Sequence, residues 1–297
     1  MSRIFHTQIL CEGRSVDNSS RLALFWVVML VAAVQIQTGG DIEENLELAV
    51  EKIREAAEGG AQLIVLPEAT SQAFGAGRLD KQAQGLDGNF VTTIRAVAQQ
   101  LGVTVVLGMF TPADTVERDG KTINRVTNTA LIAGPDILGG YEKIHTYDAF
   151  NYKESDTVRP GEALVAFDVA GITVGVAICY DIRFPEQFKE LARQGAQVIV
   201  VPTSWADGPG KLDQWRLLSA ARALDSTSYI VAAGQARPGG KEKAGVDSGP
   251  TGIGHSVVVA PDGTRVVEAG YEPEIIYAEI DAELVEKTRK AIPVLEA

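Results

Sequence analysis

The chain has 297 residues, 45% apolar and 22% charged, which fits one large α/β domain or two average ones and excludes collagen, coiled coil and bulk disorder. Its 27 basic and 39 acidic residues leave a net charge of −12, a surface that repels phosphate backbones and anionic lipid, so neither nucleic acid nor membrane is expected as a partner. Two cysteines, Cys11 and Cys179, make no disulfide framework and point to a reducing cytoplasm; three histidines without a C-x-x-C or H-E-x-x-H pattern leave little material for a metal site.

The first strong feature is the apolar run 22–34, LALFWVVMLVAAV. It is too short to span a bilayer, which takes about eighteen residues or more. Its length suits a signal-peptide core, but Glu12 and Asp17 dilute the positive flank and no A-x-A site follows. The alternative is a buried strand, Met29 to Gln37, followed by a turn and a helix. That reading is preferred, since cleavage near Val34 would remove a strand the rest of the chain needs. Met29 is then the expected start of the domain, and residues 1–28 an extension outside the fold.

From there apolar runs alternate with helical periodicity. Asp41 opens a helix with Leu46, Ala49, Val50, Ile53 and Ala57 on one face, ended by Gly59 and Gly60. Residues 61–68, AQLIVLPE, form a continuous apolar run and read as a buried strand. Phe90 to Leu101 is helical, 103–110 a strand, and 127–143 two strands about a Gly-Pro turn. Residues 144–163 read as polar loop. Residues 172–179 are a strand, 184–195 a helix with Pro185 in its first turn, 196–205 a strand and 211–228 a helix. Strands follow at 229–236 and within 254–270, the latter pair joined by Pro261-Asp262-Gly263. A last strand and helix close the chain, with 285–297 expected as a C-terminal tail. The Gly/Lys-rich stretch 237–252 sits between strands and reads as a surface loop rather than a linker. Hairpins mixed with strand–helix–strand units fit a layered sandwich with helices outside better than a purely parallel sheet.

In such a protein the reactive positions lie where buried strands end. Glu68 ends LIVLPE, Lys143 ends the strand leading into YEKIH, and Cys179 ends ITVGVAIC. Any one of them alone is ordinary: buried cysteines are mostly inert, and a Glu or Lys after a strand is usually solvated. Together they form a set for acyl transfer. A thiol needs a base, and a Glu serves if an apolar setting raises its pKa; a Lys can stabilise the thiolate and then an oxyanion. His145, two residues beyond Lys143, stays open as an alternative partner of the thiol. Gly208-Pro209-Gly210-Lys211 is no phosphate loop: Leu212 replaces the required Ser/Thr, and no glycine stands five residues before Gly210.

The segments LIVLPEAT, YEKIHTYD and GVAICYDIRFPE occur in the order found in the nitrilase superfamily of carbon–nitrogen hydrolases, which the sequence resembles over about Met29 to Leu284; VIVVPTSW and GHSVVVAPDG resemble it too. The resemblance implies a four-layer αββα sandwich and a Glu-Lys-Cys triad of Glu68, Lys143 and Cys179, working without a cofactor. It also implies pairing into homodimers or larger homo-oligomers. Many members carry a second Glu after the Lys, and Glu154 stands in that place. The stretch CYDIRFPE is most similar to the omega-amidase and deaminated-glutathione amidase branches. The expected activity is hydrolysis of a small non-peptide amide through a Cys179 thioester, with Lys143 and the Tyr180 backbone N–H stabilising the oxyanion. Hydrolysis of N-carbamoyl amino acids is the related alternative, and a non-catalytic binding module on the same fold the more distant one. Arg183, four residues after Cys179, is expected either to hold a substrate carboxylate, as its counterpart does in carbamoylase-like relatives, or to pair with Asp181 or Glu186.

Overall fold

The structure, a computed structural model, describes residues 28–149 and 152–296. Cys11, and all of the expected extension except Val28, lie outside the described residues. The elements in chain order are β1 (Val28–Gln35), α1 (Ile42–Glu58), β2 (Leu63–Val65), α2 (Asn89–Leu101), β3 (Thr104–Arg118), β4 (Lys121–Ala133), β5 (Leu138–Glu142), β6 (Asp148–Ala149) and β7 (Tyr152–Lys153). There follow β8 (Ala166–Val169), β9 (Ile172–Val176), α3 (Pro185–Arg193), β10 (Val198–Thr203), α4 (Lys211–Ser226) and β11 (Tyr229–Gly234). The chain closes with β12 (Val257–Val259), β13 (Arg265–Glu268), β14 (Glu274–Asp281) and α5 (Ala282–Ala291).

These strands form two six-stranded mixed sheets, ordered β14-β1-β2-β3-β4-β5 and β13-β12-β11-β10-β9-β8. The alternation in β1 explains the layering. Val31 and Ala33 pack with Val174, Val176, Val198 and Val200 of the other sheet. Ala32 and Val34 point the opposite way, onto Leu46 and Ile53 of α1 and Phe90 and Ile94 of α2. Both faces are covered, so β1 reads as a continuous apolar run. Phe188 and Leu191 of α3, with Trp215 and Ala223 of α4, cover the second sheet. The result is the expected αββα sandwich.

Local chemistry sets the helix ends. Asp41 caps α1, accepting from the N–H groups of Glu43 (2.9 Å) and Glu44 (3.1 Å). Gly102 ends α2 at φ 68°, and Pro185 takes the first position of α3. Several expectations are corrected. Val28 belongs to β1 rather than to an extension. α5 runs across the expected boundary at 284/285, with Val285 fully buried. The stretch 144–163 carries the β6–β7 hairpin and a 3-10 turn at Glu154–Asp156, not plain loop. The strand expected to run to Cys179 stops at Val176, and β8 pairs with it antiparallel.

β2, β3 and β5 run in one direction in the first sheet, as do β9, β10 and β11 in the second. A parallel bridge between Ile36 and Gln235 joins the sheets where β1 and β11 end. The ends of β2, β5, β9 and β10 bring Glu68, Lys143, Cys179 and Ser204 to one pocket.

Candidate active site

Glu68 is positioned by backbone that leaves β2 and crosses close over β3. Gly108 of β3 allows this approach: a Cβ there would lie 2.5 Å from both the Glu68 Cα and the Ala69 nitrogen. The Gly108 N–H donates to the Pro67 carbonyl at 2.9 Å. From the second sheet, the Gln235 side chain donates to the Glu68 carbonyl at 3.0 Å. The carboxylate is thereby fixed from both layers. Its Oε1 accepts from Lys143 Nζ (2.9 Å) and Asn128 Nδ2 (2.8 Å), and its Oε2 from the Ser204 N–H (2.9 Å).

Lys143 continues the β5 edge. Its N–H donates to the Asn128 carbonyl, and its carbonyl accepts from the Gly161 N–H, both at 2.8 Å. Its ammonium lies between two carboxylates, Glu68 at 2.9 Å and Glu154 at 3.0 Å, with all three side chains at most 2% exposed. Glu154 enters from the 3-10 turn after β7, and its Oε2 also accepts from the Tyr147 N–H at 2.6 Å. Asn128 closes the arrangement by donating one hydrogen to each carboxylate, to Glu154 at 3.0 Å. Glu154 is thus a buried partner of Lys143 and not a solvated loop residue.

Cys179 begins a 3-10 turn with φ 45°, the left-handed region that an L-residue occupies only when its surroundings impose it. That bend directs the thiol toward the Glu68 carboxylate and the Ser204 N–H. Asp181, fully buried, holds the turn. Its Oδ2 accepts from the Ile178 N–H (2.8 Å) and the Tyr141 hydroxyl (2.7 Å), and its Oδ1 from the His145 N–H (3.0 Å). One carboxylate therefore ties the turn carrying Cys179 to the strand end carrying Lys143. The His145 ring is 2.8 Å from Asp181 through Nδ1 and stacks on Phe184 at 3.6 Å, so the structure gives it a positioning contact. The charged groups acting on the thiol are Glu68 and Lys143.

The electrostatics follow from burial and from this 1:2 ratio of cation to anions. Burial raises the Glu68 carboxyl; Lys143 lowers it and Glu154 raises it. Burial opposes the Lys143 ammonium, but Glu154 and Glu68 outweigh it and hold it charged, well above the ordinary lysine range. Burial and the adjacent Glu68 raise the Cys179 thiol well above its ordinary range, against Lys143 and the Ser204 N–H. At rest the sulfur is a neutral thiol beside a carboxylate able to take its proton.

The pocket opens outward over about 390 Å³, part of it in open solvent. Phe74, Tyr147, Tyr180, Trp205 and Pro250 contribute to its walls, with Arg183 and Lys211 among them. Tyr180 sits in the first turn of the 3-10 segment, where a backbone N–H has no carbonyl within the turn to donate to. Arg183 pairs with neither Asp181 nor Glu186, the expected surface partners. It donates to Gln214 Oε1 at 2.8 Å and lies over the rings of Trp205 and Tyr180, 5.0 and 5.8 Å from their centroids. Sequence reasoning gave no role to Asn128 or Ser204, took Asp181 only as a possible partner of Arg183, and met Lys211 only in the rejected phosphate-loop stretch. Asn128, a poor strand former within the buried half of β4, was the one signal available. Among the described residues no group of His, Cys, Asp and Glu is arranged to hold a metal ion, and no helix is long and apolar enough to cross a membrane.

Comparison with known proteins agrees with this fold. The carbon-nitrogen hydrolase family profile matches residues 30–290. A Mycobacterium tuberculosis protein named only as a hydrolase is 48% identical over 274 residues, covering 90% of this chain and 94% of the relative. The deaminated glutathione amidase of Escherichia coli O157:H7 is 37% identical over 270 residues, covering 90% and 96%. The crystal structure of Saccharomyces cerevisiae Nit3, a member of the nitrilase superfamily, superposes with a TM-score of 0.74 at 31% identity, covering 90% of this chain and 95% of that one.

Proposed function

The chain belongs to the carbon–nitrogen hydrolase family and is an enzyme acting on C–N bonds; on that premise we propose that it is a cytoplasmic thiol amidohydrolase using Glu68, Lys143 and Cys179. The observation that supports this is the Lys143 ammonium shared by two buried carboxylates, one of which lies beside the Cys179 thiol. Removing a proton from Cys179 to bulk water would add a second net negative charge to a buried site. Moving it to Glu68 conserves the site's charge, so thiolate formation is coupled to attack.

The sulfur attacks the amide carbon as its proton passes to Glu68. The carbonyl oxygen becomes an oxyanion stabilised by Lys143 and the Tyr180 backbone N–H. Protonated Glu68 gives its proton to the departing nitrogen, the C–N bond breaks, and ammonia or an amine leaves a thioester on Cys179. Water, deprotonated by Glu68, attacks the thioester; the C–S bond breaks, the acid departs and the thiol recovers its proton. Glu154 and Asn128 hold the ammonium and the base in register and take no proton. Arg183 anchors a carboxylate at the far end of the substrate, since its guanidinium is held at the pocket wall by the neutral Gln214 amide and two aromatic faces. Self-association through the outer face of α4 is also proposed, because Leu217 is 70% exposed there and Leu224 40%.

The test is mass spectrometry of the full chain quenched during turnover of small amides, carboxylate-bearing and neutral. An acyl mass on the Cys179 peptide is expected. Turnover with no such adduct, and with full activity in Cys179→Ala, would exclude the thioester route.

A further inference from the structure

Residues 237–252 leave the end of β11 and return toward β12 with only a 3-10 turn, Gly240–Lys243, of their own. The two ends of this loop meet: a Cβ on Gly252 would stand 2.4 Å from the Gln235 carbonyl oxygen and 2.6 Å from that of Ala236. A closed surface loop is normally packed by its own side chains. Here the one branched aliphatic residue, Val246, is 52% exposed, and Lys241, Glu242 and Lys243 face solvent. What lies beneath the loop is an ion pair. Arg237 Nε is 3.0 Å from Asp207 Oδ2, with the two side chains only 5% and 3% exposed. Arg237 Nη2 also donates to the carbonyls of Lys243 (3.1 Å) and Val246 (2.9 Å). Asp207 Oδ2 accepts from the Gly245 N–H (3.0 Å) and its Oδ1 from the Gly208 N–H (2.7 Å). Each charge therefore grips loop backbone as well as its partner, and burial makes the loss of either one costly.

The loop so held lies along residues 204–207, which lead from β10 into the pocket. The Asp207 N–H donates to Ser248 Oγ at 3.0 Å, and its carbonyl accepts from the Ser248 N–H at 3.2 Å. The Gly252 N–H donates to the Trp205 carbonyl at 3.1 Å, and Ser204 Oγ donates to the Pro250 carbonyl at 2.6 Å. Trp205 and Pro250 are both pocket walls. Ser204 is where this seam meets the chemistry, since its N–H donates to Glu68 Oε2 at 2.9 Å and acts on the Cys179 thiol.

We infer that Arg237 and Asp207 are positioning residues: their pair straps 237–252 onto 204–207, closes the Pro250 side of the pocket and fixes the Ser204 N–H that orients Glu68. The inference rests on the amidase reading for the role of Glu68 as base. Ser204 is held from two sides. The preceding carbonyl, of Thr203, accepts from the Gln235 N–H at 3.0 Å, and the hydroxyl is tied to the strap. Releasing the strap frees the second side and lets the N–H turn away from the carboxylate. A misplacement of about 1 Å among reacting groups can cost about a hundredfold in rate, so a pair that touches neither substrate nor thiol can still govern turnover.

The test uses the full chain, well below the Tm of each variant. Cys179 is alkylated with iodoacetamide and with the bulkier N-(1-pyrenyl)maleimide, and the modified peptide is identified by mass spectrometry. In Arg237→Met the pyrenylmaleimide-to-iodoacetamide rate ratio should rise at least fivefold as the wall opens. Trypsin cleavage after Lys241 or Lys243 should speed at least tenfold, and kcat on a small amide should fall at least tenfold with KM changed less. Arg237→Lys keeps a cation against Asp207 and should restore each value to within about threefold of wild type. Asp207→Asn removes the charge while keeping the shape, and gives the same reading should the Met variant fold poorly. A lower Tm with a label ratio or a kcat indifferent to both charge-removing substitutions reduces the pair to a stabilising contact and overturns the inference, leaving the amidase reading standing. A wild-type chain that turns over no amide overturns the amidase reading instead, and the label ratio and trypsin rate then decide the strap by themselves.

Discussion

Replacing Glu154 by Gln keeps the shape of the side chain and removes one of the two anions beside Lys143. Three donors converge on the Glu154 carboxylate: Lys143 Nζ at 3.0 Å, Tyr147 N–H at 2.6 Å and Asn128 Nδ2 at 3.0 Å. A Gln offers a single acceptor oxygen. Its better orientation serves Lys143 and Tyr147 and sets its own NH2 against that of Asn128; the other leaves two donors facing it. One buried donor left unmet costs about 1–3 kcal/mol, and the contact to a buried ammonium weakens as its acceptor becomes neutral, so a loss of roughly 2–4 kcal/mol is expected. For a domain of this size that lowers Tm by roughly 5–10 °C. Displacement of Lys143 from the oxyanion should reduce kcat about a hundredfold, with KM affected less. A third readout follows from charge. Burial raises the Glu68 carboxyl and Glu154 raises it further; without Glu154 the base deprotonates more readily, so the acid limb of kcat/KM moves to lower pH. Steady-state kinetics across pH and thermal unfolding check all three. A Glu154→Gln enzyme with wild-type Tm, kcat and acid limb would refute the argument and return Glu154 to an ordinary loop carboxylate.

Three more outcomes are expected. Iodoacetamide should modify Cys179 much faster than Cys11 in peptide mapping, and turnover should vanish in Cys179→Ala with the circular dichroism spectrum retained; equal labelling of the two would count against an activated site. Gly108→Ala places a Cβ 2.5 Å from the Glu68 Cα, so Glu68 must shift, and kcat should fall about a hundredfold with Glu68 unaltered; a near-normal rate would mean the β3 approach does not set the base. Burial opposes the charged form of Glu268, but hydrogen bonds from His255 and Arg216 and the nearby Arg265 outweigh it and hold the carboxyl at about 2. Because this folded-state value lies below the unfolded one, its stabilisation is present above about pH 4.5, is lost as pH falls toward 2, and amounts to at most about 3 kcal/mol; acid unfolding of Glu268→Gln should lose that dependence.

What the sequence by itself determined was whatever periodicity and residue chemistry encode locally. The apolar run in Met29–Gln37, the amphipathic face from Leu46 to Ala57 and the glycine after Leu101 are read by the backbone next to them, so the corresponding elements were legible. The three strand-end motifs were legible for another reason: a Glu, a Lys and a Cys each following a buried run are unusual, and their order matches one superfamily. Tertiary structure decided how those residues meet. Glu68 and Lys143 lie 75 positions apart in the chain, and Glu68 and Ser204 lie 136 apart. The Ser204 contribution is a backbone N–H, which every residue but proline carries, so no residue identity announces it. Asn128 and Asp181 become meaningful only as acceptors and donors that buried neighbours must find. Short elements were hidden for the same cause: β6, β7 and the turn bearing Glu154 bury too few residues to leave a period. They hold their places because a buried ammonium and the Tyr147 N–H need the Glu154 carboxylate, a requirement that exists only once the sheets have brought Lys143 inside.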